Sequence, residues 1–146
     1  MDTIVGNNNQ GAILTIVERS TNMLFMKKLK QGKDADELAQ TVITLLAPYK
    51  EIVKTVTTDN GTEFCNHKAI ARALDTTGYF TDPYSSWQKG AIENANGLIR
   101  QYIPKSSPIR DLKDKDIDEI MAKINTRPRK KLNFSTPIEE FFNYLL

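Results

Sequence analysis

Asp2-Thr3-Ile4-Val5-Gly6, Ala12-Ile13-Leu14-Thr15-Ile16-Val17 and Met23-Leu24-Phe25-Met26-Lys27-Lys28-Leu29 are three short runs separated only by turn residues. The first ends at Gly6 and a polar Asn-Asn-Asn-Gln-Gly stretch. The second is almost continuously apolar and rich in Ile and Val, as expected of a strand buried on both faces. Ser20-Thr21-Asn22 makes the next turn before the third run. Three strands joined by two tight connections predict an antiparallel meander, which fixes how the rest of the chain must be laid against it.

Working outward, Asp34 is placed to cap a helix, with Glu37 three residues on completing a capping box. Leu38, Val42, Leu45 and Leu46 form its apolar stripe, and Pro48 ends it. Residues 52–57 read as a fourth strand with Asp59 at its end and Asn60-Gly61 as the turn. A short helix over 67–74 buries Ile70 and Leu74. Residues 79–81 read as a brief fifth strand closed by Asp82-Pro83. A helix is expected from Gly90 to about Tyr102, stopped by Pro104, and then a linker over 105–115. Ile117, Ile120, Met121 and Ile124 make one face of a further helix. Thr136-Pro137-Ile138-Glu139 is a helix start with an N-cap Thr and Pro at the first position. Phe141, Phe142 and Leu145 are expected to bury that last helix. The sum is an α/β domain with a mixed five-stranded sheet, the first three strands antiparallel, flanked by helices.

Composition narrows the chemistry. The chain has 146 residues, enough for one domain with a real core, and 40% apolar against 26% charged residues is an ordinary globular mixture. No apolar run approaches the roughly 18 residues of a membrane span. One cysteine, Cys65, rules out an internal disulfide, and with His67 as the only histidine a Cys/His zinc site cannot form within the chain. Any catalytic metal must therefore sit on oxygen ligands. The net charge of +2 says little, but Arg127, Arg129, Lys130 and Lys131 crowd into five residues. Such a run is either a solvated face or a phosphate-binding one.

Two carboxylates stand out. Asp59 follows a buried strand, where α/β sheets place ligands, and Gly61 lets the chain turn sharply behind it; a plain Asp-Asn-Gly surface turn is the alternative. Glu93 shares one helix face with Gly90, Gly97 and Arg100, opposite Ile92, Ala95, Leu98, Ile99 and Tyr102. Two interior glycines cost a helix roughly 1 kcal/mol each relative to alanine. Bare backbone around Glu93 suits the approach of a bulky polymer; otherwise the glycines serve packing. Lys89 precedes Glu93 by four residues, the less favoured order for a helical ion pair, so a phosphate contact is the better reading. Trp87 reads as core, Glu63 as a helix-start residue, and Cys65 and His67 as bystanders. Asn94 and Asn96 suit DNA contacts, although Asn96 equally suits a bond to the helix surroundings.

Asp-Thr-Ile-Val-Gly at 2–6, Thr-Asp-Asn-Gly-Thr-Glu-Phe at 58–64 and Trp-Gln-Lys-Gly-Ala-Ile-Glu-Asn-Ala-Asn-Gly-Leu-Ile-Arg at 87–100 together resemble the DDE transposases of bacterial insertion sequences. The likeness is to the insertion-sequence-thirty family, whose catalytic domain resembles retroviral integrase and ribonuclease H. Positions 60–92 separate Asp59 from Glu93, a spacing of that branch, and Asn125-Thr126-Arg127-Pro128-Arg129-Lys130 with Thr136-Pro137 also matches. The resemblance spans nearly the whole chain. It implies a ribonuclease H-like fold and a catalytic triad of Asp2, Asp59 and Glu93. These would hold two Mg²⁺ or Mn²⁺ ions, with Asp59 bridging both and Asp2 or Glu93 completing each site.

It further implies DNA cleavage and strand transfer. Water frees a 3′-OH at the element's end, which then attacks a target phosphate without a covalent enzyme intermediate. Transposon ends and target DNA are the implied partners, a homo-oligomer the active complex, and the bacterial cytoplasm the setting, with no membrane role. Lys89, Arg100, Arg127, Arg129 and Lys130 are expected on phosphates, which positions DNA without reading it. The family's N-terminal helix-turn-helix region has no counterpart before Asp2, so residues 1–146 read as a catalytic core alone. With only Met1 ahead of it, Asp2 is expected to be anchored by Thr3, Ile4 and Val5 from one side. Two other readings stay open: a nuclease that cleaves but never joins, and a non-catalytic DNA-binding or assembly fragment.

Overall fold

The computed structural model describes residues 1–6, 11–30, 32, 34–58, 62–80 and 90–146, leaving aside the side chains of Thr62 and of 77–80. The opening meander is present: β1 (Asp2–Val5), β2 (Ala12–Val17) and β3 (Leu24–Leu29) pair antiparallel in the order β1-β2-β3. Asp2 lies opposite Thr15, and Ile4 opposite Ile13. β2 is the central strand, and its residues alternate between two cores. Ala12, Leu14 and Ile16 pack on one face with Leu38, Val42, Phe64, Ile70 and Leu74. Ile13 joins Ile4, Leu24 and Met26 on the other, against Ile99, Ile109, Ile117 and Ile124. A strand covered on both faces needs the near-continuous apolar run it has.

β4 (Thr55–Thr58) and β5 (Thr77–Phe80) form a separate parallel pair, with Thr57 opposite Tyr79. Among the described residues the five expected strands are all present, hydrogen-bonded in two sets. Between the sets, the Met1 amino group donates to the Thr57 carbonyl at 2.7 Å. β4 also starts later than expected, because Ala47–Ile52 continues past the first helix as a 3-10 segment. Residues 59–61 and 81–89 lie outside the described residues, and with them Asp59, Asn60, Gly61, Asp82-Pro83, Trp87 and Lys89.

The helices follow local signals closely. α1 (Ala35–Leu46) is capped by Asp34, whose side chain accepts the Glu37 N–H at 2.9 Å. The Glu37 carboxylate in turn accepts the Lys30 backbone N–H. α2 spans His67–Leu74 and buries Ile70 and Leu74. α3 (Gly90–Ile99) ends a little before the expected Tyr102, relaxing into turns that bring Ile103 into the core. α4 (Asp114–Asn125) packs on β3 through Ile117 and Ile124. The expected linker 105–115 is not loose: it makes a 3-10 turn over Ile109–Asp111 with Ile109 fully buried. Gly11, at φ +85°, fits beneath that turn, where a Cβ would stand 2.8 Å from the Arg110 nitrogen.

α5 (Pro137–Leu145) starts as expected, with Thr136 accepting from the Glu139 N–H. Its burial is narrower than expected. Phe141 is buried edge-on against Phe25 and Tyr49, with ring centroids 5.7 and 5.2 Å away. Phe142 and Leu145 are exposed. Phe142 stands about 100° round the helix from Phe141, and Leu145 sits in the final turn, so neither reaches the sheet. Among the described residues, no helix is long and apolar enough to cross a membrane.

Candidate active site and nucleic-acid interface

The Asp2 carboxylate sits at the head of β1, on the face covered by α3 and α4. Both of its oxygens are engaged. Oδ1 accepts the Thr3 backbone N–H at 2.8 Å, and Oδ2 accepts the Asn96 side-chain N–H at 3.0 Å. The Asn96 carbonyl oxygen lies 3.1 Å from the hydroxyl of Thr15, which is fully buried directly opposite Asp2 on β2. Asp2 is thus anchored by more than its neighbours in the strand. The Asn96 amide pins its side chain, and Met1 ties the start of the strand to Thr57. Of the two expectations for Asn96, a DNA contact or a bond to its surroundings, the second is what the geometry shows.

Glu93 lies one helical turn before Asn96, so the two side chains are neighbours along α3. α3 is buried through Ile92, Ala95 and Ile99, which leaves Glu93, Asn94, Gly90 and Gly97 exposed. A Cβ built at Gly90 or Gly97 would meet nothing within 4 Å. Among the described residues, then, the glycines leave bare backbone beside Glu93 and pack against nothing.

Among the described residues, no three acidic, His or Cys side chains converge as a metal site. The expected third carboxylate, Asp59, lies outside the described residues; it follows Thr58, the last residue of β4. Glu63 lies in the first turn of a 3-10 segment over Thr62–Phe64, close to the helix-start position expected of it, but it is also 6% exposed and accepts from the Thr3 hydroxyl at 3.2 Å. Consecutive residues of β1 are thus held from opposite faces, Asp2 by Asn96 and Thr3 by Glu63.

The cationic residues divide into two groups. Arg100 donates to the carbonyls of Val5 (3.3 Å) and Ile103 (3.4 Å), bracing the end of β1 against α3, and burial holds its pKa below the usual arginine value. Arg127 donates to Gln101 (3.4 Å) and to the Tyr102 hydroxyl (3.2 Å). Arg129, Lys130 and Lys131 instead line an open cleft of ≈ 780 Å³ with Arg19, Ser20, Asn22, Gly90, Ala91 and Asn94. Lys131 closes one side, donating to the Arg19 carbonyl at 2.7 Å and to Asn22 at 3.3 Å. Arg129 donates to the Ile124 carbonyl at 3.2 Å, while its Nε is buried without a hydrogen-bond partner among the described residues. Burial first, and the nearby Arg127 charge second, lower its pKa. Four cations and the first turn of α3 face the same cleft, and among the described residues its lining holds no carboxylate.

Arg19 was not among the expected contacts, because a lone Arg in a turn carries no local signal; Lys131 belonged to the basic run but not to the residues expected on phosphates. Thr15 did carry one: it is the single polar residue in an otherwise apolar buried strand, and a buried hydroxyl needs a partner.

Comparison with known proteins accords with this geometry. The chain is 47% identical over 141 residues to the transposase for insertion sequence element IS4351 of Bacteroides fragilis, covering 97% of the chain and 43% of that protein. It is 37% identical over 139 residues to transposase InsI for insertion sequence element IS30A of Escherichia coli, covering 94% and 36% respectively. A putative integrase of Spiroplasma virus SpV1-R8A2 B is 31% identical over 143 residues, 97% of the chain and 44% of that protein. The chain thus spans about two-fifths of the length of these relatives. No family model matches. In structure, the catalytic core domain of BIV integrase superposes with a TM-score of 0.73 at 19% identity, over 99% of this chain and 92% of that one. In sequence, then, the chain is similar to insertion-sequence transposases, IS30 among them, over about two-fifths of their length, and its fold is the ribonuclease H-like α/β fold of an integrase catalytic core.

Proposed function

We propose that this domain is the catalytic core of a DNA transposase, cutting and joining DNA by phosphoryl transfer with Asp2, Asp59 and Glu93 as its carboxylates. The observation that carries the reading is what α3 brings to one place: Asn96, which holds the Asp2 carboxylate, an exposed Glu93 one turn before Asn96, and Gly90, Ala91 and Asn94, which line a cationic cleft. The likeness to transposases supports the same reading.

The donor set suits hard divalent ions such as Mg²⁺ or Mn²⁺, which prefer anionic oxygen. Each Asp2 oxygen accepts one N–H, and a carboxylate has about four lone-pair sites, so both oxygens keep capacity for a cation. Asp2, Asp59 and Glu93 would hold two such ions, which stabilise the attacking and leaving oxygens of a displacement at phosphorus. The chain's own residues do the rest. Arg19, Arg129, Lys130 and Lys131 hold backbone phosphates along the cleft. Lys89, Arg100 and Arg127 extend the contact set. Bare backbone at Gly90 and Gly97 lets the strand lie close to Glu93. Element ends and target DNA are the substrates, a homo-oligomer is the working form, and the bacterial cytoplasm is its place.

The test is a nicking and strand-joining assay in Mg²⁺ and in Mn²⁺. Asp2→Asn, Asp59→Asn and Glu93→Gln should each abolish both activities while circular dichroism stays unchanged. Retained nicking in any of them refutes the carboxylate assignment. Nicking by the wild type without joining would favour a simple nuclease, and binding without either would favour an assembly fragment.

A further inference from the structure

We infer that Asn96 and Thr15 are positioning residues that aim the Asp2 carboxylate and tie it to α3 beside Glu93. The inference rests on the proposed role of Asp2 and Glu93 and adds residues that the carboxylate pattern does not contain. The geometry leaves the Asn96 amide one workable orientation. Its nitrogen must face Asp2 Oδ2, because the reverse would set two oxygens with lone pairs 3.0 Å apart. Its oxygen then needs a donor, and the Thr15 hydroxyl supplies one at 3.1 Å. Thr15 is 0% exposed, so no solvent competes for that proton; its other acceptor is the Asp2 carbonyl at 3.3 Å.

The relay thus runs from a buried hydroxyl, through an amide, to one carboxylate oxygen, while the Thr3 N–H holds the other. Rotation of the Asp2 carboxylate breaks both bonds at once. Because Asn96 stands one turn after Glu93, the same amide ties α3 to the head of β1 beside that residue. Partners of this kind orient metal ligands, and their loss typically weakens metal affinity about 10–100-fold.

The test measures Mn²⁺ binding by titration calorimetry on the whole chain without DNA, beside the melting temperature of the metal-free protein. Thr15→Val keeps the shape and removes the hydroxyl; Thr15→Ser restores the hydroxyl. Asn96→Ala is expected to weaken Mn²⁺ binding about tenfold. Thr15→Val should weaken it by a smaller factor, and Thr15→Ser should bind as the wild type does. If Asp2→Asn loses Mn²⁺ binding but Thr15→Val and Asn96→Ala do not, the relay is refuted and the metal reading stands. If Thr15→Val weakens binding only in step with a lower melting temperature, its role is structural and the inference fails. If the wild type binds no Mn²⁺, or Asp2→Asn binds it normally, the metal reading itself falls and the relay with it. Should Asn96→Ala fail to fold, the Thr15 pair decides alone.

Discussion

Asn125, at the end of α4, forms two hydrogen bonds with the backbone of Leu24, at the start of β3. Its side-chain nitrogen donates to the Leu24 carbonyl at 2.9 Å, and its oxygen accepts the Leu24 N–H at 2.9 Å. In an antiparallel strand the N–H and C=O of one residue point the same way. The amide therefore completes the free edge of β3 much as another strand would. Asn125 is 3% exposed, so water cannot replace it.

Asn125→Leu should accordingly be costly. It leaves two backbone groups buried without partners, at about 1–3 kcal/mol each, and we expect a loss of about 3 kcal/mol in urea denaturation. A loss below about 1 kcal/mol would mean that apolar packing of Ile117 and Ile124, rather than the amide, seats α4 on the sheet.

Gly97→Ala should do the opposite. The site is helical, has open space around it and has no positive φ, so alanine is expected to stabilise the protein by about 1 kcal/mol. Thermal melting reads that gain. Gly97→Trp should leave Mn²⁺ binding intact yet weaken DNA binding, because its bulk occupies the surface beside Glu93. Unchanged DNA affinity would show that the strand does not pass over this face.

Salt dependence separates the two cationic groups. Arg19→Ala and Lys130→Ala, both lining the cleft, should each flatten the log–log salt slope of DNA binding by about 0.9. Arg127→Ala should change it less, since that guanidinium is turned to Gln101 and Tyr102. Equal flattening from all three would mean that Arg127 meets phosphate too, and an unchanged slope in all three would return these residues to a solvated face.

The turn that carries Arg19 is organised by Glu18, which accepts from the Ser20 N–H (2.9 Å), the Thr21 N–H (2.7 Å) and the Thr21 hydroxyl (2.5 Å). Burial alone would raise its pKa, but the bonds from Thr21 and Ser20 together outweigh that and lower it. A lowered folded-state pKa means stability that is present above the unfolded value and lost as the pH falls through the folded one. Glu18→Gln should therefore destabilise the protein near neutral pH and flatten its acid limb below the ordinary glutamate range. An acid limb identical to the wild type's would assign the loss of stability to other carboxylates.

What was legible in the sequence is what neighbours within a few positions decide. The caps at Asp34 and Thr136, the α2 boundaries and the run from Ala12 to Val17 all depend on side chains meeting their own backbone or on the spacing of apolar residues. The prominence of Glu93 is of the same kind, since glycine spacing along one helix is local. Tertiary structure decided the rest. It paired the described strands in two sets, turned Phe142 and Leu145 outward, packed the supposed linker through Ile109, and joined Arg19 to Lys131 across 112 positions. It also gave Asn96 its partner, 94 positions away. Helix periodicity can say that Asn96 stands one turn from Glu93. It cannot say that the amide meets Asp2, because that depends on how β1, β2 and α3 are stacked, and stacking is settled by burial of both faces of β2 together.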